Sequence, residues 1–221
     1  MNVLPGVLPS AVMWAAGLLF VLLMAQAART APWYKILDNE SSHVFLGSVL
    51  LVGIIWLVRS SVFNGINFHL LASTALMVMF DWQFALFAVL LVHAGLYVLG
   101  AMPLSVIPLN VLICGAIPIF LTRAGLILAF RRLPHNFFIF VFLNCFLAAG
   151  LSMIAVALTT LGLYYFFAYE SVYLNLQDFL PFTLMLAFPE AVLNGIVLSG
   201  LIAYQPGWIA TFHDRFYIVG K

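Results

Sequence analysis

The sequence predicts an all-α, polytopic membrane protein with about seven transmembrane helices, and three observations carry that reading. Hydrophobic residues make up 66% of the chain and charged residues only 7%, a balance that suits a surface solvated by lipid rather than by water. The apolar residues gather into seven stretches, most of them near the ~20 residues needed to cross the hydrocarbon. The basic residues between these stretches fall on alternate connections.

Taken in order, the spacing predicts helices at about 9–28, 43–58, 66–80, 83–100, 104–130, 137–167 and 179–204. The third is short, and the fifth and sixth are long. With seven spans one side receives Arg29, Lys35, Arg131, Arg132, Arg215 and Lys221, and the other receives Arg59 with the acidic Glu170 and Asp178. Positive charge accumulates in cytoplasmic loops, so the N-terminus is expected outside and the C-terminus in the cytoplasm. Ala25-Gln26-Ala27 has the small residues of a signal cleavage site, but Met1 to Ser10 contains neither Lys nor Arg. The first stretch therefore reads as a retained helix.

No internal repeat, low-complexity tract or domain linker interrupts the chain, and its longest polar loop, Arg29 to Ser42, is too short for a domain. Residues 1–221 are expected to form one transmembrane domain, with a short amino-terminal loop over residues 1–8. Cys114 and Cys145 lie within expected spans, where a free thiol is more often an apolar filler than a ligand. There is no phosphate-binding loop, no Ser/His/Asp arrangement and no basic run that would suit nucleic acid. An ATP-driven role would require partner chains, and no enzymatic activity is expected.

Polar residues inside spans are costly, about 3 kcal/mol for an ionised side chain at the bilayer centre, so their positions are informative. Glu190 is the one acid well inside a span. Asn194 follows it by four residues, on the same helix face, and Arg123 is its expected ion-pair partner. Pro103, Pro108 and Pro118 surround Asn110 and Gly115, and Pro181 and Pro189 interrupt the last span. Each proline frees a backbone carbonyl that protein or trapped water must satisfy, and broken helices at membrane depth often frame binding sites. His135 and His213 fall in loops. His43, His69 and His93 begin or occupy spans two, three and four on one half of the bilayer, where imidazoles meeting at one depth would suit a transition metal, a haem or simple packing. Ala11 and Ala15, with Ala148, Ala149, Gly150 and Ser152, thin two helices enough for close approach of another helix, inside the protein or from a partner.

The opening Met1-Asn2-Val3-Leu4-Pro5-Gly6-Val7-Leu8-Pro9 resembles that of the cobalt/nickel permease family of energy-coupling-factor transporters, the CbiM/NikM type, which begins Met-His-Ile-x-Glu-Gly-Phe-Leu-Pro. Phe68-His69-Leu70-Leu71-Ala72 is similar to the family's Ser-His-Leu-Leu-Gly, Asn110-Val111 to its Ala-Asn-Val, and Glu190-Ala191 to an acidic-small pair in its last helix. The resemblance implies capture of a divalent metal ion, Ni(II) or Co(II), as a transported ligand with no tightly bound cofactor. It also implies a transmembrane coupling protein and ATPase subunits as partners, in a bacterial inner membrane.

In that family the ion is held by the amino-terminal amine, the backbone nitrogen and imidazole of the second residue, and the histidine matching His69, a planar nitrogen field that suits these d-electron counts. This chain departs where it has Asn2 for the second-position histidine and Pro5 for a glutamate. The resemblance thus leaves the Met1 amine, the Asn2 backbone nitrogen and His69, with His93 or His43 to complete the set. A relative that has lost its metal and serves as an assembly subunit is the alternative.

Overall fold

In the computed structural model, residues 2–36, 38–63, 66–168 and 176–212 are described. A short strand, β1 (Asn2–Val3), leads through a turn at Gly6 (φ 78°) into α1 (Ser10–Thr30). Helix α2 (Asn39–Leu57) begins at Asp38, whose carboxylate accepts the Glu40 and Ser41 amides at 3.4 and 3.1 Å, a typical N-cap. The Ser41 hydroxyl also donates to it, and this bond above all holds the Asp38 carboxyl below its ordinary pKa.

Strands β2 (Ser60–Phe63) and β3 (Ile66–Phe68) follow, then α3 (Ser73–Val98), α4 (Leu104–Arg132), α5 (Phe137–Phe167) and α6 (Leu176–Tyr204). Helices α4 and α5 each contain a stretch of π-helix, Val111–Ala116 and Phe140–Leu147. The protein is an all-α polytopic membrane protein carrying one three-stranded antiparallel sheet, of strand order β1-β3-β2.

Among the described residues six helices are long and apolar enough to cross a membrane, against seven expected spans. The expected third and fourth spans are the two arms of α3. Its first seven expected residues are not helical: 66–68 form β3, and helix begins only at Ser73. The two arms, residues 73–80 and 82–98, meet at Asp81, whose φ of 63° and ψ of 169° lie outside the helical region.

This break reverses the chain. Ser73 Oγ donates to the Cys114 carbonyl at 2.6 Å, and a methyl group placed on the adjacent Gly115 would lie 2.8 Å from Val89. Residues 73 and 89 therefore face neighbouring residues of α4, whereas a straight helix would separate them by about 24 Å. Asp81 Oδ1 accepts the Trp82 amide at 2.7 Å and so caps the second arm.

Arg123 was expected to pair with Glu190. It lies instead beside Asp81 (3.9 Å) and over the Trp82 ring (5.2 Å), at the partly exposed reversal. Glu190 is satisfied elsewhere, as described below. The expectation failed because sequence gives no depth for a residue near a helix end. Arg123 finds a partner at the edge of the bundle and keeps its charge out of the interior.

The proline expectation is met at Pro118. It removes the amide that would bond the carbonyl four residues earlier, which is that of Cys114, and the Ser73 hydroxyl supplies the donor.

Candidate metal centre

The amino end is laid into the bundle by two sets of hydrogen bonds. On one edge of β1, the Asn110 side chain grips the Val3 backbone: the Val3 N–H donates to Oδ1 at 2.8 Å, and Nδ2 donates to the Val3 carbonyl at 3.0 Å. On the other edge β1 pairs with β3, Asn2 opposite Asn67 and Val3 opposite Ile66. Backbone groups alternate sides along a strand. Because Val3 turns its own toward Asn110, Asn2 turns its N–H and carbonyl toward Asn67. Asn2 is fully buried, and its side-chain Oδ1 accepts the Cys114 thiol at 3.3 Å.

His69 stands two residues beyond Asn67, on the turn that links β3 to α3. Its Nδ1 lies 2.9 Å from the Leu70 carbonyl. A carbonyl only accepts, so Nδ1 carries the proton and the neutral ring has its lone pair on Nε2. His93, from the second arm of α3, is fixed in the same way by the Val89 carbonyl at 2.9 Å.

The indole of Trp56 lies between the two rings, tilted over His69 at 4.5 Å and edge-on to His93 at 4.8 Å. Its Nε1 donates to the Leu71 carbonyl at 3.0 Å. His93 is completely buried, and among the described residues its Nε2 has no hydrogen-bond partner; nor has Asn2 Nδ2. A buried polar atom left unpaired costs about 1 to 3 kcal/mol, and both of these lie in the region of the amino end and the two imidazoles.

The expected site residues thus divide. Asn2, His69, His93 and Asn110 lie in one region. Met1 lies outside the described residues, as does His213. His43 lies in the second turn of α2, 13 residues before Trp56 and about 20 Å away along the axis. There it lines an apolar cleft of about 660 Å³ between α2 and α6, so it does not converge with the other imidazoles. Among the described residues no three His, Cys, Asp or Glu side chains form a metal-holding group. Cys114 and Cys145 are both buried and are not joined in a disulfide.

Glu190 and Asn194 share a face of α6 as the four-residue spacing predicted, with Asn194 Nδ2 donating to Glu190 Oε1 at 2.9 Å. The same carboxyl group accepts the Leu71 amide at 2.7 Å and the Ala72 amide at 2.8 Å, and Asn194 Oδ1 accepts the Ala75 amide at 3.0 Å.

Two contributors escaped the sequence reading. Trp56 drew no expectation from the sequence, and Cys114 was expected to be an apolar filler. Cys114 reaches Asn2 from α4, where Asn110 also holds Val3, and Trp56 reaches the turn that follows β3 through His69 and Leu71; no hydropathy pattern signals either contact.

The fold and this site define a class: a multi-pass membrane protein with its amino-terminal residues buried as a strand beside two imidazoles. The chain belongs to the family described as the cobalt uptake substrate-specific transmembrane region, whose model matches residues 2–208. It is accordingly a membrane component of metal uptake and not an enzyme.

Two solved structures share the fold. A crystal structure of a truncated transition metal transporter has a TM-score of 0.76 at 16% identity, covering 92% of this chain and 99% of that one. A second, of a transition metal transporter, has a TM-score of 0.75 at 17% identity, covering 92% and 93%. No curated protein sequence matches the chain.

Proposed function

We propose that the chain captures a divalent transition-metal ion, Ni(II) or Co(II), at its buried amino end, and passes it on with a transmembrane coupling protein and ATPase subunits in a bacterial inner membrane. The observation that carries this reading is the register of β1 on β3, which sets Asn2 opposite Asn67, two residues before His69. The ligands in this reading are the Met1 amine and the Nε2 atoms of His69 and His93.

The Asn2 backbone nitrogen, which the family resemblance also assigns to the ion, faces Asn67 in the ladder. Ligation there requires that hydrogen bond to open and the amide to lose its proton. His93 supports the reading through its anchored Nδ1 and unpartnered Nε2, the arrangement by which proteins orient metal-binding imidazoles. It supplies an imidazole where Asn2 lacks one.

Calorimetric titration of Ni(II) and Co(II) into purified protein with an unmodified amino end tests the proposal. Binding is expected, at least tenfold weaker in His69→Ala and in His93→Ala, and lost when residues are added before Met1. No binding, or binding indifferent to His69→Ala, would sink it.

One observation favours a second reading, an assembly subunit without metal. The residue at position two is an amide whose oxygen is already occupied by the Cys114 thiol. Stoichiometric co-purification with a membrane complex, together with absent metal uptake by cells expressing the chain, would select that reading.

A further inference from the structure

The turn that carries His69, residues 69–72, is irregular backbone inside the bundle, with Ala72 in the left-handed region at φ 54°. A helix leaves its first N–H groups without intrahelical partners; at the start of α3 one of these, the Ala75 amide, and the Leu71 and Ala72 amides just before the helix are taken by side chains of α6. Glu190 Oε2 accepts from Leu71 and Oε1 from Ala72, while Asn194 accepts from Ala75 and holds Oε1 through its own Nδ2. Leu71 is held at its other end as well, since its carbonyl takes the Trp56 indole N–H. Glu190 and Trp56 therefore fix the peptide two residues beyond His69 from opposite directions. Metal–ligand bonds tolerate only about 0.2 Å of misplacement, so whatever sets this peptide sets the reach of His69 Nε2.

We infer that Glu190 is a positioning residue for His69: a carboxyl group on the last helix that holds, through the Leu71 and Ala72 amides, the turn presenting the metal-binding imidazole. The inference rests on the proposed metal capture and extends it to a residue that does not touch the ion. It also gives α6 a lever on the site, because any tilt of that helix displaces the His69 turn.

The test is Ni(II) titration of the full chain, unmodified at its amino end, followed by the visible ligand-field absorption of the bound ion. The variants are Glu190→Gln, His69→Ala and the two combined. Replacing one carboxyl oxygen by NH2 sets a donor against a backbone donor and releases one of the two amides. Glu190→Gln is expected to weaken nickel binding about 10- to 100-fold and to move the absorption band toward that of His69→Ala. Added to His69→Ala, it should weaken binding no further, the non-additivity expected of two residues acting as one unit.

An unchanged band and affinity in Glu190→Gln, or its full loss repeated in the His69→Ala background, would overturn the inference. If Glu190→Gln does not fold, Glu190→Asp keeps both oxygens but withdraws them by one methylene and is read the same way: a moved band supports the inference, an unchanged one overturns it. Absence of nickel binding by the unsubstituted chain removes the proposed function and this inference together. Binding that responds to His69→Ala but not to Glu190→Gln removes this inference alone.

Discussion

Helices α1 and α2, like α3 and α4, are apolar enough to cross a membrane, yet only 11% and 17% of their most apolar 18-residue stretches are buried, against 61% in each of the other two. The difference lies in what the apolar side chains meet. Leu18, Leu22, Leu50 and Ile54 on the outer pair are exposed and face lipid. The inner pair carries a buried polar framework of Ser73, Thr74, His93, Asn110 and Thr122. Lipid is as apolar as leucine, so burying leucine in the bundle contributes little association energy. Packing and hydrogen bonds hold membrane helices together instead. The inner pair should therefore be brittle and the outer pair permissive.

Asn110→Leu should separate the two most strongly. It strands the Val3 N–H and carbonyl, both now paired by one side chain, and each buried unpaired group costs about 1 to 3 kcal/mol. A loss of roughly 2 to 5 kcal/mol is expected, read as a large fall in the thermal midpoint of the detergent-solubilised protein, with nickel binding abolished because the amino end is no longer seated. The reverse change on the outer pair, Leu18→Asn, leaves that seat intact. If it abolished nickel binding as completely as Asn110→Leu, the contrast would collapse.

Next in size is Gly115→Ala. The new methyl group would meet Val89 Cγ1 at 2.8 Å and Cβ at 3.3 Å. Val89 is fully buried and, being β-branched, has little rotamer freedom with which to retreat. Overpacking of this kind costs about 1 to 3 kcal/mol, so a lowered midpoint is expected; an unchanged one would show that the two helices separate freely. Thr122→Val removes the 3.1 Å hydroxyl pair with Thr74 that ties the first arm of α3 to α4. That loss should be about 1 kcal/mol, measured the same way and absent when Thr74→Val is already present.

How much of this was legible beforehand depended on whether the signal was local. The membrane class follows from composition, and the ends of the helices from where polar residues cluster: 10–30 against an expected 9–28, and 137–167 as expected. The break near Asp81 was legible too, because Asp81 is an acid between two apolar runs and the sequence reading had already divided the spans there. Asn194 beside Glu190 needed only the helix period.

What resisted was pairing across the chain. Asn2 with Asn67, Trp56 between His69 and His93, and Glu190 with Leu71 and Ala72 join residues 13 to 119 positions apart, some of them in segments too short to show a period. The error over Arg123 has the same origin. A single charge in a span announces that it needs a partner but not which one, and Asp81 won because it lies at the same rim.

The smallest effect is the one that most sharpens the contrast, because it applies the same substitution to the outer helices. A methyl group on Gly17, in the middle of α1, meets nothing within 4 Å, so no neighbour has to yield. Glycine within a helix is less favourable than alanine by about 0.5 to 1 kcal/mol, because it loses more conformational freedom on folding. Gly17→Ala should therefore raise the thermal midpoint slightly where Gly115→Ala lowers it. The opposite signs follow from Val89 alone, and a Gly115→Ala, Val89→Ala double variant, which clears the space, should bring the Gly115 effect toward that of Gly17. If Gly17→Ala were instead destabilising, α1 would have a close neighbour on that face in the protein as purified, and its lipid-facing assignment would be wrong.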